Sequence, residues 1–237
     1  QQYCRKYGGE HDDVAPFVIN QHRNGLLTPW GFNYQNNIPQ LTREDYVSSR
    51  YILRPLRLWD CDRPVNAAGA YLFTTAERAR DAKQTPVYVL NHSQHNFTFK
   101  TTQPTLDEIE LWTDIAAKRM YEGSGLTAGD VDIFNPYDGY SIMAQFFLEG
   151  FQWHGVKRGD AFSFYADDIR VEGPHPLCSS GGNLGNGRTR TAMYTDSIEQ
   201  LRGTAGARQV TTRAETALAA FTTPSSGGWI MLGKNPD

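Results

Sequence analysis

The chain has 237 residues, 39% of them hydrophobic, and a formal net charge of −3. That suffices for one large folded unit or two small ones, and it gives no general pull towards nucleic acid or an anionic membrane. No apolar run approaches the roughly 18 residues a membrane helix needs, no signal-peptide pattern opens the chain, and Cys4, Cys61 and Cys178 lie far apart without CxxC spacing. The reading is a globular protein of a reducing cytoplasm, with neither a zinc site nor a disulfide framework suggested.

In chain order, residues 12–22 read as a short helix with Val14, Phe17 and Val18 on one side, held to a turn or so by Pro16. Residues 24–40, rich in Asn, Gly and Pro, read as a loop. Thr42 is a good N-cap with Asp45 in the first turn, and Tyr46, Tyr51, Ile52 and Leu53 predict an apolar helix side before Pro55 stops it. Residues 66–75 read as small residues followed by a strand, with a capping box from Thr74 to Glu77 opening a helix. A strand is expected at 86–90, then a connection over 91–103 whose His92 and His95 read as surface or loop histidines.

The strongest helix signal spans 105–121. Thr105 and Glu108 form its capping box, Leu106, Ile109, Trp112, Ala116 and Met120 share one face, and Gly123 or Gly125 closes it. Val131, Ile133 and Phe134 then read as a buried strand ended by Asn135 and Pro136, with Tyr137, Asp138, Gly139 and Tyr140 on the following turn. From 141 to 152 Ser141, Gln145, Glu149 and Gln152 recur every three or four positions, which leaves Ile142, Met143, Phe146, Phe147 and Phe151 for a helix lying on a sheet. Residues between the carboxyl end of a strand and the next helix are where open α/β sheets hold ligands.

Further on, residues 161–165 read as a strand, Asp167 and Asp168 as a solvated turn, and Cys178 as a buried small residue. The glycine-rich loop 181–190 leads into a helix carrying Thr191, Ala192, Tyr194, Ile198 and Leu201 that ends at Gly203. Its glycines allow close approach, and free N–H groups at the helix start can hold a developing negative charge. Residues 227–232 read as the last strand and 235–237 as a polar tail. The alternation of strands and helices is that of an α/β fold.

Several of these stretches together resemble the C-terminal half of the thiolase superfamily, and most of all its lipid-transfer-protein and sterol-carrier-protein-x branch. They are the Asp-Val-Asp strand at 130–132, the Asp-Gly-aromatic turn, the helix ending Leu-Glu-Gly at 148–150, the run Ser-Ser-Gly-Gly-Asn-Leu-Gly-Asn-Gly-Arg at 179–188 and Gln-Leu-Arg-Gly-Thr-Ala-Gly at 200–206. Residues 41–56 and 66–89 match the branch in order. The resemblance implies a layered α-β-α-β-α fold. Within it, residues 1–60 would be the loop or cap region, 61–85 the end of the N-terminal half and 86–237 the C-terminal half. The aromatic residues Trp30, Phe32, Tyr34, Tyr46, Tyr51 and Trp59 then either line an acyl pocket or form the small core of an excursion.

Departures from the family pattern decide the expected chemistry. Condensing members use a cysteine from the N-terminal half, a Gly-His-Pro histidine and a Cys-x-Gly cysteine. Here residue 1 falls inside the family's N-terminal half, Arg188 stands where that histidine would be, residues 221–228 hold no cysteine, and Tyr137 replaces the histidine or asparagine that opens the turn motif. The tyrosine-rich, cysteine-free site resembles the thiolase-like aldolases of bacterial steroid side-chain degradation. For those the resemblance implies retro-aldol cleavage of a β-hydroxyacyl-CoA, with CoA entering as part of the substrate and no further cofactor.

That resemblance also implies a homodimer working with a small partner of OB-fold and zinc-ribbon type, and neither nucleic acid nor a membrane span. Tyr137, oriented by Asp138, and Tyr194 are the expected proton carriers, with Arg188 expected to lower the Tyr137 pKa; Tyr140, Gly182, Asn186 and Arg188 are expected around the substrate. The alternatives are a non-catalytic lipid or acyl-CoA carrier, and an acyltransferase whose cysteine lies upstream. A further N-terminal half or a partner is expected in the complete protein.

Overall fold

The computed structural model describes residues 1–98, 103–221 and 223–236. Residues 99–102 of the expected connection, Thr222 and Asp237 lie outside the described residues. In chain order the helices are α1 Gln2–Tyr7, α2 Ala15–Leu26, α3 Phe32–Gln35, α4 Arg43–Ser48, α5 Ala76–Arg80, α6 Leu106–Ser124, α7 Ser141–Phe151, α8 Ala161–Tyr165, α9 Gly182–Asn186 and α10 Ala192–Arg202. The strands are β1 Tyr51–Leu53, β2 Leu56–Arg57, β3 Tyr88–Asn96, β4 Ile133–Asn135, β5 Thr216–Ala220 and β6 Ser226–Gly233.

One four-stranded sheet, in the order β3-β6-β5-β4, carries the fold. β4 runs parallel to β5, and the other pairings are antiparallel. Side chains alternate between the two faces of a strand, so the register row Phe134, Leu218 and Met231 faces one layer while Ile133, Ala217 and Leu232 face the other. The first row packs with Ala116, Met120, Phe147 and Phe151 of α6 and α7, and the second with Leu201 and Ile198 of α10. Helices on both faces of one sheet make an α-β-α sandwich, an α/β fold as expected.

Trp229 sits at the centre of the α7 side, its ring 4.3 Å from that of Phe151 and 4.8 Å from that of Phe147. Both phenylalanines are fully buried, and each such burial stabilises by about 2 kcal/mol.

The expected helix caps are met at two places. Thr42 accepts the Asp45 N–H while the Asp45 carboxylate accepts the Thr42 N–H, and Thr105 and Glu108 repeat the arrangement before α6 closes on left-handed Gly125. Elsewhere the sequence reading needs correcting. Helix α2 extends to Leu26, and α3 interrupts the loop expected over 24–40.

The helix expected to run to Pro55 stops at Ser48, and Tyr51–Leu53 is a strand. Tertiary contacts override the local pattern there: Arg57 pairs with both oxygens of Asp12 at 2.8 Å, donates to the carbonyls of Val47 and Ser49, and stacks its guanidinium 4.5 Å from the Tyr51 ring. The cap of α5 is Thr75 rather than Thr74, and residues 66–75 form no strand. Residues 161–165 form a helix, because Ala161 and Tyr165, four apart, both turn inwards. Strand β3 continues through His92 and His95, and His95 is buried with its Nε2 3.1 Å from the Pro224 carbonyl. Strand β5, all of it buried, has no counterpart in the reading of the sequence.

The early aromatics do not share one pocket. Tyr46 lies in the main core with Trp59 packed against it, Trp30 stacks under Arg208, Phe32 under Arg63, and Tyr34 is exposed.

Candidate active site

Strand β4 delivers Tyr137 and Asp138 to the middle of the molecule, and its last residue fixes what comes next. The Asn135 amide donates to Asp196 (3.0 Å) and Ser197 (2.9 Å) of α10, which ties the strand end to that helix. Pro136 cannot continue the ladder, and the chain turns before Ser141 starts α7.

Asp138 is fully buried. Its carboxylate accepts the backbone N–H groups of Asn183 (2.6 Å) and Leu184 (3.3 Å) and the Gln21 amide (2.7 Å). Burial pushes its pKa up to about 7, against the opposing effect of these donors, with Asp62 adding to the rise. Part of the expected glycine loop is itself the short helix α9, and its Asn183 and Leu184 N–H groups serve Asp138. Gly182 has a φ of +55°, and a Cβ there would stand 2.2 Å from an Asp138 oxygen. Only glycine lets the loop approach so closely.

The Tyr137 ring folds over Gly139, where a Cβ would meet its hydroxyl at 2.1 Å. Among the described residues that hydroxyl makes no hydrogen bond, and Asp138 orients Tyr137 only through the shared turn. Its pKa is raised, first by burial and then by Asp62 and Asp138, with Arg188 and Arg190 opposing. Arg188 acts in the lowering direction as expected, but burial and the two carboxylates outweigh it. Its guanidinium holds Asp62 through Nε at 2.9 Å to both oxygens and through Nη2 at 2.5 Å.

Tyr194, on the first turn of α10, lies between the rings of Tyr71 (6.4 Å) and Phe221 (5.6 Å) and packs against the core cluster that contains Tyr137. Burial raises its pKa, and Tyr71 adds to the rise. Tyr140 is partly exposed and pairs with Cys61 across a β-bridge. Asn186 is buried, its amide nitrogen donating at 2.8 Å to the carbonyls of Ser180 and Gly182, so it shapes the loop from inside. Cys178 is buried and its thiol is pushed well above the ordinary range by burial, then by Asp138, which suits a packing residue rather than a nucleophile.

The sequence reading missed Asp60 and Asp62, two buried carboxylates that flank Cys61. Asp60 accepts Tyr46 Oη (2.9 Å), Ser141 Oγ (2.7 Å) and the Arg57 N–H (2.6 Å), with His11 Nε2 2.7 Å away. The Asp62 N–H donates to the Gly139 carbonyl at 3.1 Å, and the Arg188 N–H to the Arg63 carbonyl at 2.7 Å. An acidic residue two positions from another is the visible signal, but nothing local says that both are buried.

Two cavities, of about 370 and 380 Å³, lie beside α1 and are lined by none of the candidate residues. The candidate site is therefore a set of side chains on one turn, one glycine loop and one helix start. Its distinctive chemistry is two phenols held in their protonated form, one of them, Tyr137, within the field of the paired Asp62 and Arg188.

The layered α/β fold that carries these residues is that of a thiolase-type protein. The family model for thiolase C-terminal domain-like proteins matches residues 94–231, more than half of the chain, and the chain belongs to that family. It is 30% identical, over 98% of its length and 60% of the relative's, to the 17-hydroxy-3-oxo-4-pregnene-20-carboxyl-CoA lyase of Mycobacterium tuberculosis. It is 27% identical, over 78% of its length and 47% of the relative's, to the steroid side-chain-cleaving aldolase of Thermomonospora curvata. The solved Ltp2-ChsH2(DUF35) aldolase superposes with a TM-score of 0.80 at 23% identity, covering 98% of this chain and 60% of that one, which establishes the thiolase-like fold. The chain thus spans about half to three-fifths of the length of these relatives.

Proposed function

We propose that this chain is part of a thiolase-like aldolase that cleaves a β-hydroxyacyl-CoA bearing a steroid side chain. The observation that carries the reading is Tyr137, a buried phenol on the turn after β4, where thiolytic members place a histidine or asparagine. The substrate class follows from the relative's name. A 17-hydroxyl and a 20-carboxyl thioester stand in β-relation, so cleavage between the carbons that bear them leaves a 17-ketosteroid and a three-carbon acyl-CoA, propionyl-CoA.

The step balances without an added reagent. The β-hydroxyl loses its proton as the carbon–carbon bond breaks, the bond's electron pair becomes the thioester enolate, and the α-carbon takes one proton up. An enzyme running it needs proton carriers and a polar setting for the enolate. Tyr137 is protonated at rest, serves as donor to the α-carbon and is re-protonated from solvent; Tyr194, protonated too, is the second proton carrier and takes the hydroxyl proton by passing its own on to solvent. The protein works as a homodimer in the cytoplasm with a small OB-fold and zinc-ribbon partner. The pairing of Ltp2 with ChsH2(DUF35) in the solved neighbour supports a heterocomplex, and the three unpaired cysteines suit a reducing compartment.

The test is to incubate the full-length protein and its partner with a 17-hydroxysteroid 20-carboxyl-CoA and follow products by mass spectrometry, with Tyr137→Phe and Tyr194→Phe alongside. Ketosteroid and propionyl-CoA from the wild type, falling by about 100-fold or more in Tyr137→Phe, is the expected result. Binding without products in any form would replace the aldolase with a carrier.

A further inference from the structure

The Tyr137 hydroxyl and the Asp62 backbone converge on one residue. A Cβ on Gly139 would meet the phenol oxygen at 2.1 Å, and the Gly139 carbonyl accepts the Asp62 N–H at 3.1 Å. The Asp62 side chain is fully buried and carries the two-pronged bond from Arg188, whose own backbone N–H donates to the Arg63 carbonyl. The bridge between Cys61 and Tyr140 closes the same junction from the other side. The Asp62 backbone therefore lies one hydrogen bond from the residue that the phenol covers, and the counter-ion of its buried carboxylate comes from the glycine loop.

We propose that Asp62 is a positioning residue of this site: held by Arg188 and hydrogen-bonded to the Gly139 carbonyl under the Tyr137 ring, it keeps Tyr137 in the role of a proton donor. The inference rests on the aldolase reading for its meaning, since it says which of the two proton roles Tyr137 takes. The charged and titratable groups facing the phenol are Asp62 from the 60–63 segment, Asp138 from its own turn, and Arg188 and Arg190 from the glycine loop. Asp138 is occupied with the α9 N–H groups and Gln21. The Asp62–Arg188 pair is thus the adjustable part. A carboxylate near a phenol disfavours phenolate, and a nearby guanidinium favours it, so removing one partner or the other must push the phenol in opposite directions.

The experiment is a ¹³C NMR titration of the full-length protein labelled at tyrosine Cζ, with Tyr137→Phe used to assign the Tyr137 signal. In Asp62→Asn the Tyr137 signal is expected to titrate about one pH unit lower than in the wild type. In Arg188→Gln it is expected to titrate later than in the wild type. A purely structural staple between the two loops would give shifts of the same sign in both variants, or none, and either result overturns the proposal. Collapse of the fold in Asp62→Asn, whose side chain keeps its size and still accepts from Arg188, would also overturn it. No turnover is read, so a protein that cleaves nothing yet shows the opposite shifts loses the aldolase reading and keeps only the hold of Asp62 and Arg188 on the Tyr137 phenol. Where cleavage is observed, Asp62→Asn should also move the alkaline limb of the rate profile towards lower pH.

Discussion

The Asn183 N–H donates to the Asp138 carboxylate at 2.6 Å, although 45 residues separate the two in the chain. Through this bond the turn after β4 and the glycine loop before α10 become one unit, and the Asp138 carboxyl feels both its burial and its donors. Its pKa rises from the usual 3.8 to about 7, which gives stability a definite pH dependence. Between those values the folded state holds a proton that the unfolded chain has released. The stabilisation is therefore complete below about pH 4 and is lost as pH rises through about 7, with an upper limit of about 4 kcal/mol. Urea unfolding of the wild type should show stability falling from pH 5 to pH 8 by more than in Asp138→Asn. Equal slopes in the two proteins would remove Asp138 as the source.

Gly139 offers a way to move the Tyr137 phenol without deleting it. A methyl group at this position collides with the far end of the tyrosine, which must swing away. Misplacing a reacting group by about 1 Å can cost on the order of 100-fold in rate. Gly139→Ala should accordingly lower the maximal cleavage rate by about that factor and leave the far-ultraviolet circular dichroism unchanged, whereas wild-type turnover would mean that the phenol position is not critical.

Asp60 joins four parts of the chain: His11, Tyr46, the Arg57 backbone and Ser141 at the start of α7. Removing a buried, multiply bonded carboxylate leaves its donors unsatisfied, at a cost of about 3–5 kcal/mol. Denaturant unfolding of Asp60→Ala measures this directly. A loss below about 1 kcal/mol, the scale of an ordinary exposed pair, would show that Asp60 is not the hub described.

What could be read from the sequence was local. The change from a short apolar run to a three-to-four-residue spacing at Pro136 located β4, the Tyr137 turn and α7, and Thr105 with Glu108 located α6. Where local pattern and tertiary contact disagreed, the contact won, as at Tyr51–Leu53 held through Arg57 and at Ala161–Tyr165 turned inwards as a helix. The polar stripe of α7 was visible, but its fate was not. Ser141 is buried against Asp60, and Glu149 is buried where it accepts the Tyr3 hydroxyl and the Ala161 N–H. Within the site, Tyr137 and Asp138 were legible because they occupy a strand-to-helix turn. The Asp62–Arg188 pair was not, since its members lie 126 residues apart and no periodicity links them.

The measurement closest to the central claim is cleavage in D₂O. The full-length protein and its partner would be given a 17-hydroxysteroid 20-carboxyl-CoA without free CoA, and the released acyl-CoA analysed by mass spectrometry. Retro-aldol cleavage with protonation of an enolate predicts propionyl-CoA carrying one deuterium at its α-carbon, at a rate independent of added CoA and sharply reduced in Tyr137→Phe. Product that forms only when free CoA is supplied would contradict the account and return the site to thiolytic chemistry.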